Sequence, residues 1–189
     1  DALTELGIEV EIHAVPYDRP YKTPFAQDTD HKTYDGDKVH AYWRALSQID
    51  TVFEEFRGRF LGKSTPVHLF WHSFDLALTR FSGKTAPPME GGTNADKEAY
   101  SHEVISFGWW AGDDQVREAA FYSYTAPEPG GIETHPLEPA DAVWNDAGGS
   151  HMAFLTYEAV RQSADPRQTL LAVLESAYQA GATKAGWPV

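Results

Sequence analysis

The sequence has no cysteine. Disulfides, thiolate metal centres and cysteine nucleophiles are therefore excluded, while the compartment stays open on this count. Positive charge is scarce as well: 15 lysines and arginines stand against 28 acids, for a formal net charge of −13. A chain this acidic repels phosphate backbones and anionic lipid, which excludes nucleic acid and the membrane surface as partners. No apolar run approaches the length of a membrane span, and no secretory signal opens the chain. The expectation is a cytoplasmic protein with no membrane partner. The chain begins at Asp1 rather than Met, so a preceding portion is expected too. There is no internal repeat and no motif that names a reaction.

What is present is a globular composition. Hydrophobic residues make up 42% and charged residues 23% of 189 positions, enough for one ordinary domain with a sizeable core. Aromatic residues reach 13%. That many rings suggests that some line a small-molecule pocket; the plainer alternative is a ring-rich core.

The residues before Gly7 read as the tail of a helix. Gly7 to Val15 alternates Ile8, Val10 and Ile12 against Glu9, Glu11 and His13, the period of a half-buried strand. Pro16 to Tyr34 reads as a long loop. Within it Asp28, Asp30 and His31 are either turn chemistry or a loop delivering His31 over a pocket. From Asp35 the apolar residues Val39, Trp43, Leu46, Ile49, Phe53, Phe56 and Phe60 recur at spacings of three and four. This predicts an amphipathic helix over about 36–61. Asp35 or Asp37 can cap its first turn, and Gly62 stands where a left-handed residue would end it. Strands are expected from Ala99 and over Ala119 to Ala126, with Gly131 to Ser150 irregular. A further strand begins at His151 and runs towards a helix start. Asp165 and Pro166 open a last helix over about 166–185, with Asp165 as cap. The order predicts an α+β fold: an antiparallel or mixed sheet packed by helices, in a single domain over residues 1–189.

The stretch PVHLFWHSFDLALTRFSG, Pro66 to Gly83, carries His68, His72, Asp75 and Arg80 among apolar residues. On a helix, His68 and His72 would share one face and could hold one ion. On a strand they lie about 13 Å apart, too far for a single zinc. Val67 to Trp71 follows a proline, has no cap and is rich in rings, so it reads as a strand, apolar on both faces and therefore central. Whether Asp75 and Arg80 continue it, facing opposite sides, or lie on a short helix is left open. In the second polar cluster, Tyr100 to Glu103, His102 and Glu103 face opposite sides of a strand. Either can meet His68, Asp75, Tyr122 or Tyr124 on a neighbouring strand, as an acid–base pair or as a structural hydrogen bond.

YKTPF (Tyr21 to Phe25), VFEEFRGRFLGK (Val52 to Lys63), the Pro66–Gly83 stretch, AYSHEV (Ala99 to Val104) and FYSYTAPEP (Phe121 to Pro129) resemble an uncharacterised family of bacterial conserved hypothetical proteins. The resemblance covers nearly the whole chain and implies no activity, since that family is a domain of unknown function. It also implies that this chain corresponds to the C-terminal two thirds of the family pattern, with an N-terminal segment or a separate piece completing the sheet. His68, Asp75, Arg80, His102 and Glu103 sit at positions matching the pattern, whereas the position of His72 is commonly Gly.

Two functional readings follow. The first is a small-molecule enzyme with its site on the sheet face under the Pro16–Tyr34 loop. His102 or His68 would serve as general base or as ligand to a divalent metal, and Asp75 or Glu103 would orient it. Arg80 would hold an anionic group, while Trp71, Tyr122, Tyr124 and His31 would contact the substrate. The metal version requires His68 and His102 to converge with a carboxylate. The second reading is a non-catalytic ligand-binding or protein-interaction domain that uses the same rings.

Overall fold

The three-four spacing after Asp35 becomes the long helix of a computed structural model, which describes every residue except Asp1, Asp18, Arg19, His72, Ala147 and Val189. The chain divides into two compact units, residues 1–41 and 42–189.

In the first unit, α1 (Ala2–Glu5) is the expected helical tail. The strand expected over Gly7 to Val15 does not form. The segment is extended, but among the described residues it belongs to no ladder, and Ile8, Val10 and Ile12 are 46%, 53% and 71% exposed. Alternation supplies the backbone period of a strand, but a strand also needs a neighbour to hydrogen-bond. Among its described residues the expected long loop holds one 3-10 turn, Phe25–Gln27. Asp35 closes the unit as a cap: its Oδ1 accepts from the backbone N–H groups of Asp37 and Lys38, at 3.1 and 3.2 Å, at the start of α2 (Gly36–Gly58).

The helix ends at Gly58, short of the expected 61, and Gly62 does not adopt a positive φ. Gly62 is small for another reason: the Phe60 ring lies where its Cβ would be. Of the predicted stripe, Ile49, Phe53 and Phe56 are buried, whereas Trp43 is 59% exposed.

The second unit is built on one antiparallel sheet. Its strands are β1 (His68–Phe70), β2 (Asp75–Thr85), β3 (His102–Trp110), β4 (Ala120–Ala126), β5 (Val143–Asp146) and β6 (His151–Thr156), in the order β1-β2-β3-β4-β6-β5. This is the predicted α+β class. The Pro66–Gly83 stretch is thus a hairpin rather than one strand, and β1 is an exposed edge strand instead of the central one expected. Its rings Phe70 and Trp71 are 45% and 88% exposed. His72 and its spacing to His68 lie outside the described residues. The segment expected to be irregular, Gly131 to Ser150, contains β5 and a 3-10 turn at Ile132–Thr134.

Alternation along the strands sorts the side chains onto two faces. One carries Leu76, Leu78, Ile105, Phe107, Trp109, Phe121 and Leu155, all buried. Against it packs α2, through Phe53 on Phe121 (ring centroids 6.5 Å apart) and Phe56 edge-on to Phe107 (4.9 Å). The same core takes in α4 (Tyr157–Gln162) through Val160, and α5 (Pro166–Lys184) through Leu170, Leu171, Leu174 and Ala177. The last helix starts as predicted: Asp165 accepts from the Gln168 backbone N–H at 3.0 Å and Pro166 stands at its first turn. Gly181 lets α5 approach the sheet closely, because a Cβ there would overlap Thr125 and Ile105. The loop after β2 carries the short helix α3 (Asn94–Ala99), set by a reciprocal Thr93–Asp96 capping box.

Candidate functional site: a tyrosine-lined cleft

The face opposite these helices carries His68 and Phe70 from β1, and Asp75, Ala77 and Thr79 from β2. From the inner strands it carries His102, Ser106, Gly108 and Trp110, then Tyr122 and Tyr124, then Phe154. Its polar groups are joined in pairs. Tyr122 reaches across β3 and donates its hydroxyl to Asp75 Oδ2. Gly108 makes that reach feasible: it sits in register between Ala77 and Tyr122, and a Cβ there would overlap the Tyr122 ring. Burial, then the Asp75 charge, push the Tyr122 hydroxyl far above its ordinary pKa, so it remains a neutral donor. Thr79 and Ser106 share a hydrogen bond of 2.5 Å, and the hydroxyls of Tyr100 and Tyr124 meet at 3.0 Å. Tyr100 is also raised, mainly by burial and then by its bond to Tyr124. The Tyr122 and Tyr124 rings lie nearly parallel, with centroids 6.3 Å apart and 10° between planes, and Trp110 sets its edge to Tyr122 at 5.5 Å.

This ring row ends in a cleft of about 540 Å³. Tyr100 and Tyr124 form one wall. Pro87 and Met89, from the loop after β2, form a second; Pro127 and Met152 form a third. The chain's two methionines, Met89 and Met152, both line it. At its rim His151 and Glu128 form an ion pair, with Nδ1 and Oε1 2.8 Å apart and the His151 backbone N–H donating to Glu128 Oε2 at 2.6 Å. Glu133 stands 3.9 Å from the same Nδ1. The Glu128 hydrogen bond raises the His151 pKa above its ordinary value, with the Glu128, Glu133 and Asp146 charges adding to it and partial burial opposing.

A raised pKa means that the folded protein favours the imidazolium. Its stabilising contribution is full below the unfolded value of 6.5 and disappears as pH rises through the folded value. We expect the His151 ring to titrate above 6.5 by proton NMR and to return towards 6.5 in Glu128→Gln. Identical midpoints in both proteins would show that the pair does not form in solution.

The structure separates several residues singled out in the sequence. His68 pairs with Ala77, which pairs with Gly108, and His102 lies six residues further along β3. That is about 20 Å at about 3.3 Å per residue, so one metal ion cannot take both rings. His68 sets its ring against Phe70 at 4.4 Å, and His102 is exposed with Ser101 Oγ 3.1 Å from Nδ1. Glu103 points to the helix side, where it accepts from Trp187 Nε1 at 2.9 Å with Lys84 Nζ 4.0 Å away. Among the described residues, no group of three or more His, Asp and Glu side chains is placed to hold a metal ion.

Arg80 also faces the helices. It is 2% exposed, 3.6 Å above the Phe56 ring and 4.5 Å from that of Tyr178, and it donates to the Phe56 carbonyl at 2.6 Å. Burial lowers its pKa to about 10. There the cation caps the last turn of α2, where unpaired carbonyls carry negative charge. His31, in the first unit, is held by Asp28 at 2.8 Å and stacks on Tyr21 at 4.7 Å. Backbone and side-chain hydrogen bonds from His31 hold the Asp28 carboxyl below its usual range. Trp71 stands at the exposed β1–β2 turn, which also carries Phe74 with a φ of 54°; Tyr42 donates to the Phe74 carbonyl.

Of the sequence candidates, Tyr124 lines the cleft, while Tyr122 and Asp75 lie on the ring row leading to it. Met89, Glu128, His151 and Met152 were not among them. Glu128 had a signal, since it follows Tyr122 and Tyr124 in FYSYTAPEP, just past the strand end. His151 had none, because only the pairing of β6 with β4 brings it there.

An antiparallel sheet with one helix-covered face and a tyrosine-lined cleft at its end makes this an α+β fold. The chain belongs to a family of unknown function (DUF5996), which matches residues 1–189. No curated protein and no solved structure matches it. Among the described residues no helix is long and apolar enough to cross a membrane.

Proposed function

We propose that the protein is a small-molecule-binding domain whose ligand occupies the cleft between Tyr100, Tyr124, Met89 and Met152. The observation that carries this reading is the lining itself: a concave, mostly apolar space of about 540 Å³ with a few convergent polar groups at one side. The tyrosine faces offer apolar contact and hydroxyls, and the methionines adapt to the shape of a guest. An enzymatic reading of the same cleft has one specific support, the carboxylate–imidazole pair Glu128–His151, in which a carboxylate orients a base. That reading does not draw on His68, His102 and Glu103, which lie apart.

Saturation-transfer NMR with a panel of small aromatic amines, alcohols and acids tests the binding reading. Several members are expected to bind, and Tyr124→Leu is expected to weaken them about tenfold, the scale of one lost aromatic contact of about 1.4 kcal/mol. Trp71→Ala, at the distant turn, should leave them unchanged. Binding that is lost with Trp71 and kept without Tyr124 would move the site to the β1–β2 turn.

A further inference from the structure

We propose that the cleft selects an organic cation: an amine or quaternary ammonium group carried on a small apolar body. The inference rests on reading the cleft as a ligand site and concerns the charge of what enters it. Among the described residues no lysine or arginine lines the cleft; its charged members are Glu128 and His151. Three acids act on His151: Glu128 at 2.8 Å, Glu133 at 3.9 Å and the field of Asp146. Lys184 approaches this corner, where it donates to Thr134 Oγ1 at 3.1 Å. The rim is therefore net negative even with the imidazole protonated, and a carboxylate or phosphate ligand would meet uncompensated acids.

The walls point the same way. Tyr100 and Tyr124 line the cleft, and aromatic rings carry a negative quadrupole that attracts a cation; Met89 and Met152 add polarisable sulfur. Aromatic surface beside a carboxylate is the chemistry that recognises ammonium groups. His151 then acts as an internal competitor. While protonated it occupies Glu128, and an entering ammonium must share or displace it. Cation affinity should therefore increase as His151 loses its proton, while neutral ligands should be indifferent.

The test is a calorimetric titration of the intact chain with benzylamine, benzyl alcohol and benzoate, which match in size and differ in charge. Benzylammonium is expected to bind at least tenfold more tightly than benzyl alcohol, and benzoate more weakly than either. Its affinity should rise as pH increases through the His151 midpoint, which the Glu128 hydrogen bond holds above the ordinary value, while the amine stays protonated. Glu128→Gln should erase most of the preference for the cation. His151→Gln should remove the pH dependence while keeping that preference. Benzyl alcohol or benzoate binding as tightly as the amine, with displacement at the same cleft, would overturn the charge inference and leave the ligand site standing. If none of the three bound, the reading of the cleft as a ligand site would itself be contradicted. A cation preference that survives in Glu128→Gln would also overturn the proposal, since the attraction would then come from the overall charge of −13.

Discussion

Arg80→Ala is expected to destabilise the protein by about 3–5 kcal/mol, whereas Arg80→Met should cost much less, about 1 kcal/mol. Arg80 is among the largest fully buried side chains of the described residues, its guanidinium stacked on Phe56 and flanked by Tyr178 and Phe60. Alanine would leave a cavity among three rings and strip a donor from the Phe56 carbonyl at the end of α2. Methionine would refill the cavity and keep contact with the rings, losing only the charge and its donors. Burying that charge is itself costly, as the lowered pKa of about 10 shows and as the absence of a partner for Nε among the described residues underlines. The small methionine penalty follows from that balance. Urea denaturation of the two variants checks it. Equal large losses would mean that the charge, rather than the packing, holds the site, and tolerance of alanine would contradict the buried stack altogether.

Gly108→Val should cost about 2–4 kcal/mol, although valine is a better strand residue than glycine. Its side chain would occupy the space of the Tyr122 ring, expelling the hydroxyl from Asp75 and breaking the parallel stack on Tyr124 and the edge contact of Trp110. Asp75 would be left without its phenol donor. The cause is checked by a double-mutant cycle. In a Tyr122→Ala background the ring is gone, so the same valine should be nearly neutral or stabilising. An equal cost in both backgrounds would place the clash in the backbone and refute the role assigned to Tyr122.

Much of the fold is legible in the residues. The run Ile49, Phe53, Phe56 identifies the buried face of α2, and Asp165 with Pro166 marks the start of α5 to the residue. The alternation in β2 places Asp75 and Arg80 on opposite faces once the segment is a strand, and likewise His102 and Glu103 in β3. What alternation does not carry is the identity of the neighbour. Gly7 to Val15 has a strand's period and no ladder, and the Val67–Trp71 run has a central strand's composition at a sheet edge. Register and strand order come from long-range pairing, which one sequence leaves open. For the same reason the rings were legible as a class while the cleft was not. Tyr122 and Tyr124 could be picked out as wall residues. The meeting of Tyr100, Glu128, His151 and the two methionines depends on where β6 pairs and where the loop after β2 returns.

Arg80 shows the same limit in physical terms. A cation in an apolar stretch suggests a ligand for an anion, yet burial among aromatic rings at a helix C-terminus accounts for it equally well. Only the side to which it points decides between them, and it points to α2.

The most direct test of the cleft as a small-molecule site uses the two methionines. Carbon-13 labelling of methionine methyl groups gives a resonance for Met89 and one for Met152, both of which line the cleft. On titration with benzylamine the account predicts that both shift and saturate with a single dissociation constant, and that Tyr124→Leu weakens that constant in parallel for both. Two methyl signals that stay fixed while the ligand binds elsewhere on the chain, or that move independently of each other, would contradict it.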